Sequence, residues 1–360
     1  MENITTLSYH LNTTDVSGNN GSTNIDEYAE LKKSLNTMSI IFYCLAFVLG
    51  VLGNGLVIWV AGFKMKKTVN TVWFLNLAVA DFLFTAFLPL TVTSIAMNFH
   101  WPFGRFMCIL RSIITFLNIF ASVYILVVIS VDRCVSVVWP VWAQNHRSVR
   151  KASCVSLGVW VLALILSTPY FIFRDTEPSH LDKDVIICFN NLTFSDDYKT
   201  PSQLRQFDHP ALTITHFLLG FLVPFTVIVS CYAVIIHRLR RHDALSSLSS
   251  RTFKIIAAVI TTFFLCWAPF HIMALIQMVN FILPYRSETL TYVTIIGIPV
   301  TTGLACINSV LNSMLYVFIG QDFKDKIRKS IPTVFETAFQ DEVSGSHTDT
   351  KLVDSANTEV

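Results

Sequence analysis

The residues able to do chemistry are few and widely separated. Asp81 is the one acid in the middle of a long apolar stretch, Asp132 is followed directly by Arg133, and His216 and His271 lie in different apolar stretches. An intramembrane carboxylate protease needs two facing acids at one depth, and Asp81 has no such counterpart. No nucleophile–base pair and no zinc-ligand spacing is found. Enzymatic chemistry is therefore not expected; no cofactor is implied, apart from a small cation at Asp81 considered below. What remains is recognition and charge switching, for which an adjacent carboxylate and guanidinium are well suited.

Those residues need membrane-crossing elements to position them. The chain is 53% hydrophobic and only 14% charged, with mean hydropathy +0.55. Apolar runs of spanning length cover residues 38–62, 71–97, 108–138, 152–173, 211–237, 253–281 and 290–319. The third is the axis of the arrangement, because its length from Cys108 to Arg133 is roughly 37 Å at helical rise, more than a bilayer core of about 30 Å. The fold class expected is an all-α integral membrane protein, a seven-helix bundle. Residues 320–332, with Phe323 and Ile327 four apart, read as a short amphipathic eighth helix on the membrane surface. No short apolar region with a small-residue cleavage site precedes the first run, which is expected to act as an uncleaved anchor.

Orientation follows from charge. With the N-terminus outside, Lys and Arg concentrate at the inner loops and helix ends. The sequons at Asn3, Asn12, Asn20 and Asn191 then all fall outside, as glycosylation requires. Residues 1–37 read as an extracellular glycosylated tail, 38–319 as the bundle, and 333–360 as a cytoplasmic Ser/Thr-rich tail. Cys108 and Cys188 are the two cysteines on the outer side, so an oxidising exterior favours their pairing; two free thiols are the alternative. Prolines at 89, 169, 224, 269 and 299 are expected to kink their spans.

An ionised Asp81 near the bilayer centre costs at least ~2.5 kcal/mol, so it must face the bundle interior and find partners. Asn54, Asn118, Ser122, Asn308 and Asn312 are the candidates. Asn118/Ser122 and Asn308/Asn312 are each four apart and share a helical face. The cluster reads either as a site for a small hard cation or water, or as a structural polar plug.

These features together resemble the rhodopsin-like G-protein-coupled receptors over about residues 38–330. The likeness is carried by Gly53-Asn54, Leu77 to Asp81, Cys108 with Cys188, Asp132-Arg133-Cys134, Trp160, Pro224 with Tyr232, Cys266-Trp267-Ala268-Pro269, and Asn312 to Tyr316. Further strings at 63–70, 100–104, 140–147, 173–176 and 320–323 are similar to the chemoattractant branch, which includes formyl-peptide, chemerin and prostaglandin D receptors, with the chemerin receptors nearest.

The resemblance implies a cell-surface receptor for an extracellular peptide or lipid acid, coupled to an inhibitory G protein. Arg133 would be held by Asp132 at rest and released on activation, with Tyr232 and Tyr316 swinging towards it beside Cys134. Phe263 and Trp267 match the family's toggle, and Asp81, Asn118, Ser122, Asn308 and Asn312 match its sodium pocket. Arrestin and a receptor kinase would act through the tail, and Thr358-Glu359-Val360 suits a PDZ domain. Membrane lipid is a partner; nucleic acid is not.

Ligand recognition is expected from Arg111, Arg174, His216, Phe270, His271 and Gln277, a cationic and aromatic set suited to an anionic ligand end. Pairing of the two arginines with Asp175 or Glu177, or with headgroups, is the competing reading. Ser313 departs from the family's usual Asn-Pro, which opens the alternative of a scavenging or arrestin-biased receptor. A transporter would show paired halves, and no internal repeat is present.

Overall fold

A computed structural model describes residues 21–179, 182–190, 210–241, 251–283 and 287–319. Seven helices long and apolar enough to cross a membrane are present: Glu30–Lys64, Val69–Ala96, Gly104–Val138, Val149–Ile172, Pro210–Arg240, Ile256–Ile282 and Glu288–Leu315. The first span packs on the second and seventh, the third on the second, fourth and fifth, and the sixth on the seventh. The third span is the most enclosed, in keeping with a helix surrounded by others on most sides.

Local chemistry sets several boundaries. Thr68 and Thr71 form a reciprocal capping box, with the Thr71 backbone N–H donating to Thr68 Oγ1 (3.2 Å) and the Thr68 N–H to Thr71 Oγ1 (2.7 Å), so the second span starts at Val69. Ser148 caps the fourth span in the simpler way. The second span breaks at Phe87, because Pro89 can supply no N–H to the ladder. Pro169, Pro269 and Pro299 lie inside their helices. Pro224 lies two residues after a π turn at Leu218–Leu222, where the ladder of the fifth span is already loosened.

Two features depart from the sequence reading. The first helix begins at Gly21, inside the stretch 1–37 assigned to the tail; once the apolar span is helical, each added residue gains a hydrogen bond without a new nucleus. Second, the all-α bundle, present as expected, carries one small sheet that the sequence did not signal. Strands β1 (Arg174–Pro178) and β2 (Ile186–Asn190) form an antiparallel hairpin after the fourth span. Too short to show a clear period, it is held from outside: Cys188 of β2 is disulfide-bonded to Cys108, with Cα atoms 5.9 Å apart, and the Trp101 N–H donates to Ile186 O at 2.8 Å. Trp101 is 1% exposed beneath this hairpin, packed with Cys108 and Cys188.

Helices one, two and seven approach closely where side chains are missing. A Cβ on Gly50 would lie 2.4 Å from Thr85 Cγ2, and one on Gly53 2.5 Å from Ser313 Oγ. Gly50→Ala is expected to destabilise the receptor by about 1–3 kcal/mol through overpacking. Thermal melting of purified protein in detergent checks this, and an unchanged melting temperature would show that helices one and two do not meet there.

Candidate functional site

Three groups of residues lie in series along the bundle. The middle group centres on Asp81, which is 1% exposed. Its Oδ1 accepts from Asn118 Nδ2 (3.0 Å) and Ser309 Oγ (2.7 Å), and its Oδ2 from Asn312 Nδ2 (2.9 Å). Asn54 does not reach the carboxylate; its Nδ2 donates to Gly50 O (2.9 Å) and Ser309 O (3.0 Å), tying helix one to helix seven. Ser122 and Asn308 are buried but make no hydrogen bond to Asp81. Ser309 takes the place expected of Asn308. Its position, three residues before Asn312, puts both on the face turned to Asp81, a spacing legible once the rotation of helix seven is known. Ser122 Oγ, Asn312 Oδ1 and Asn54 Oδ1 are buried oxygens without a hydrogen-bond partner in the structure.

Beyond this cluster, at the end of the bundle opposite the disulfide, lies the Asp132-Arg133 pair. Arg133 Nη2 is 3.0 Å from Asp132 Oδ2 and also donates to Asn70 Oδ1. A second guanidinium joins them. After the short helix Pro140–His146, Arg147 donates through Nε to Asp132 Oδ1 (2.9 Å) and Oδ2 (3.2 Å), and through Nη2 to Asp132 Oδ2 (3.1 Å) and Asn70 Oδ1 (2.7 Å). In the sequence Arg147 stands out only as the last residue of the 140–147 string. Tyr232 is half-buried and within electrostatic reach of Arg133. Cys134, beside it, is half-buried against Cys231 of the fifth span. The side chain of Tyr316 lies outside the described residues, as do Asn3, Asn12, Asn20, Asn191, residues 320–332 and the tail with Thr358–Val360.

On the sixth span, Phe263 and Trp267 are buried with ring centroids 6.0 Å apart, Trp267 two residues before Pro269. His216 and His271 lie with ring centroids 4.9 Å apart and their planes tilted by 48°, boxed by Phe116, Phe120, Tyr170, Phe221 and Phe270.

The third group lines a cavity of about 150 Å³ near the disulfide. Arg111 and Arg174 both border it. The Arg111 guanidinium stands 4.7 Å from the Trp101 ring centroid and donates to Thr91 Oγ1 at 3.2 Å. Arg174 Nε donates to Ser112 Oγ at 2.7 Å. Asp175, weighed as a partner for these arginines, pairs with Arg105 at 3.0 Å. Lys32 adds a third cation at the border, and Tyr43, Phe84, Leu88, Ile295 and Cys306 supply apolar walls from helices one, two and seven. His216, Phe270, His271 and Gln277 were expected to share a ligand site with the arginines, yet none lines this cavity. The histidines turn into the aromatic box between helices three, five and six, so the expected six-residue set is divided.

A seven-span bundle with an acid at mid-depth, a disulfide at one end and an arginine-carboxylate pair at the other has the layout of a transmembrane receptor. Residues 53–316 match the family described as 7 transmembrane receptor (rhodopsin family), and the chain belongs to it. More particularly, it is a G-protein-coupled receptor of the chemoattractant branch. It is 47% identical to "Chemerin-like receptor 1" of Homo sapiens over 292 residues, which is 79% of this chain and 75% of that receptor. Against the "C3a anaphylatoxin chemotactic receptor" of Danio rerio the figures are 44% over 309 residues, 86% and 79%; against "N-formyl peptide receptor 2" of Pongo pygmaeus, 41% over 336 residues, 90% and 93%. The protein is therefore a multi-pass receptor of the plasma membrane for extracellular ligands, and not an enzyme.

The Asp81 geometry distinguishes neighbouring residues on helix seven. Ser309→Ala removes a donor from a buried carboxylate and is expected to cost about 1–3 kcal/mol, against a smaller loss for Asn308→Ala. Detergent melting curves compare the two, and equal losses would contradict the hydrogen-bond assignment.

Proposed function

We propose that this receptor binds a chemerin-like peptide, or a lipid acid of similar end-group chemistry, and signals to an inhibitory G protein. The observation that carries the reading is the cavity bordered by Arg111 and Arg174 with Lys32 nearby and apolar walls opposite. A carboxylate attached to an apolar group meets both kinds of surface, and buried guanidiniums bind carboxylates with directional, charge-assisted hydrogen bonds. The N-terminus and the disulfide end face outward and the C-terminus inward, as the basic residues and sequons of the sequence require.

Ligand entering beside helices one, two, three and seven bears on the spans that also hold Asp81. Arg133 is the residue released at the other end, opening the cleft for the G protein with Tyr232 and Tyr316 beside it. Phe263 and Trp267 transmit the movement next to Pro269. A small monovalent cation suits the middle cluster: a carboxylate and the buried oxygens of Ser122 and Asn312 are hard ligands of the type sodium takes. Arrestin and a receptor kinase act on the Ser/Thr-rich tail, and a PDZ domain on Thr358–Val360.

Ser313 supports a second reading. It is buried in a stretch of helix seven beyond Pro299 that contains no further proline, with Oγ donating to Val310 O at 2.8 Å, so this stretch lacks the kink a proline would impose there. A receptor that internalises ligand and recruits arrestin with weak G-protein coupling fits that stiffer helix.

The deciding experiment measures inhibition of cyclic AMP and arrestin recruitment in parallel, with chemerin C-terminal peptide, formyl peptides and prostaglandin D as probes. A cyclic-AMP response is expected to the chemerin peptide, abolished in Arg133→Ala at equal surface expression. Arg111→Gln and Arg174→Gln are each expected to raise the half-effective concentration roughly ten- to a hundred-fold, the size of a lost charge-assisted contact, with a much smaller effect for Gln277→Ala. Arrestin recruitment without a cyclic-AMP response selects the scavenging reading. For the cation, sodium is expected to raise the melting temperature of the wild type relative to a bulky organic cation, and to leave Asp81→Asn unmoved.

A further inference from the structure

We propose that Arg147 is a standing counter-ion for Asp132, which keeps that carboxylate compensated when Arg133 leaves it and so lowers the barrier to release. The inference rests on the reading above that Arg133 departs from Asp132 on activation.

The division of contacts carries the argument. Arg147 engages both oxygens of Asp132, at 2.9 Å to Oδ1 and at 3.1 and 3.2 Å to Oδ2, whereas Arg133 reaches Oδ2 alone, at 3.0 Å. The guanidinium fork is thus filled by the loop arginine, and the arginine of the third span holds the weaker share. Both also use Asn70 Oδ1 as an acceptor. The Asp132 side chain is only 14% exposed, so water offers it little solvation. Losing its sole cation there is expensive, because the uncompensated charge stays partly buried. With Arg147 in place the loss is one hydrogen bond from a carboxylate that keeps three. The two guanidiniums also repel each other across the shared acid, which favours departure of the less firmly held one.

Arg147 therefore acts through Asp132 as a positioning residue. It belongs to the segment that follows the short helix Pro140–His146, whose Val141 and Trp142 are exposed. Any partner that displaces this helix also disturbs the counter-ion.

Arg133→Ala mimics the departed arginine without ligand or G protein, so the test does not depend on whether coupling or the ligand assignment is right. Melting temperatures of full-length receptor in detergent are compared for Arg133→Ala, Arg147→Gln, their combination, and the combination with Asp132→Asn. The double variant is expected to lose roughly 3–6 °C more than the sum of the singles. Asp132→Asn is expected to abolish that excess, since no stranded charge remains. Arg133→Ala combined with Arg147→Lys, which retains the positive charge, is expected to stay close to Arg133→Ala alone. A double variant that cannot be recovered while both singles fold, and that Asp132→Asn restores, gives the same answer. Additive losses, or an excess that persists with Asp132→Asn, would overturn the proposal and leave Arg147 as a simple loop tether.

Discussion

A single carboxylate buried at mid-depth constrains much of this receptor. Asp81 gains three side-chain donors from two other helices, and Ser309, one of them, also offers its carbonyl to Asn54 of the first helix. Helices one, two, three and seven are thereby tied through one acid. The missing side chains at Gly50 and Gly53 let those backbones come close enough for the bonds to form. In a bilayer interior, where apolar packing between helices has no hydrophobic advantage over lipid, such interhelical hydrogen bonds and close contacts are what fix one arrangement among many.

The two ends of the bundle are built on opposite principles. At the disulfide end a covalent link, a buried Trp101 and a strand pair make a fixed rim over a cavity. The opposite end has no comparable covalent link among the described residues; Asp132, Arg133, Arg147 and Asn70 are held by exchangeable polar contacts. A cross-linked rim at one end and a set of exchangeable ion pairs at the other are what the proposed signalling, binding converted into a change of charge pairing, would need. Between them one π turn in helix five and prolines in helices five, six and seven interrupt the backbone ladders, where small rotations cost least.

The side chains around His216 and His271 illustrate how packing reassigns chemistry. Both imidazoles are buried in aromatic surroundings, away from the arginines that border the cavity. Arg111 and Arg174 border a cavity whose other walls come from helices one, two and seven, while the aromatic box around the histidines brings His271 to 6.3 Å from the Trp267 ring.

The sequence by itself determined the number of crossings, the depth of Asp81, the adjacency of Asp132 and Arg133, and which cysteines could meet. Each depends on composition within one span or on which side of a membrane a segment must lie, and hydropathy and charge report both directly. Tertiary structure alone decided that Ser309 and not Asn308 reaches Asp81, that Arg147 folds back to Asp132 across fifteen residues, and that the histidines are separated from the arginines. Those outcomes depend on how far each helix is rotated about its axis and where it bends. Rotation is set by packing against neighbouring helices, which are distant in the chain, so no local pattern of residues encodes it. The hairpin under which Trp101 is buried is the same case: its strands are too short to signal themselves, and they owe their order to Cys108 on another helix.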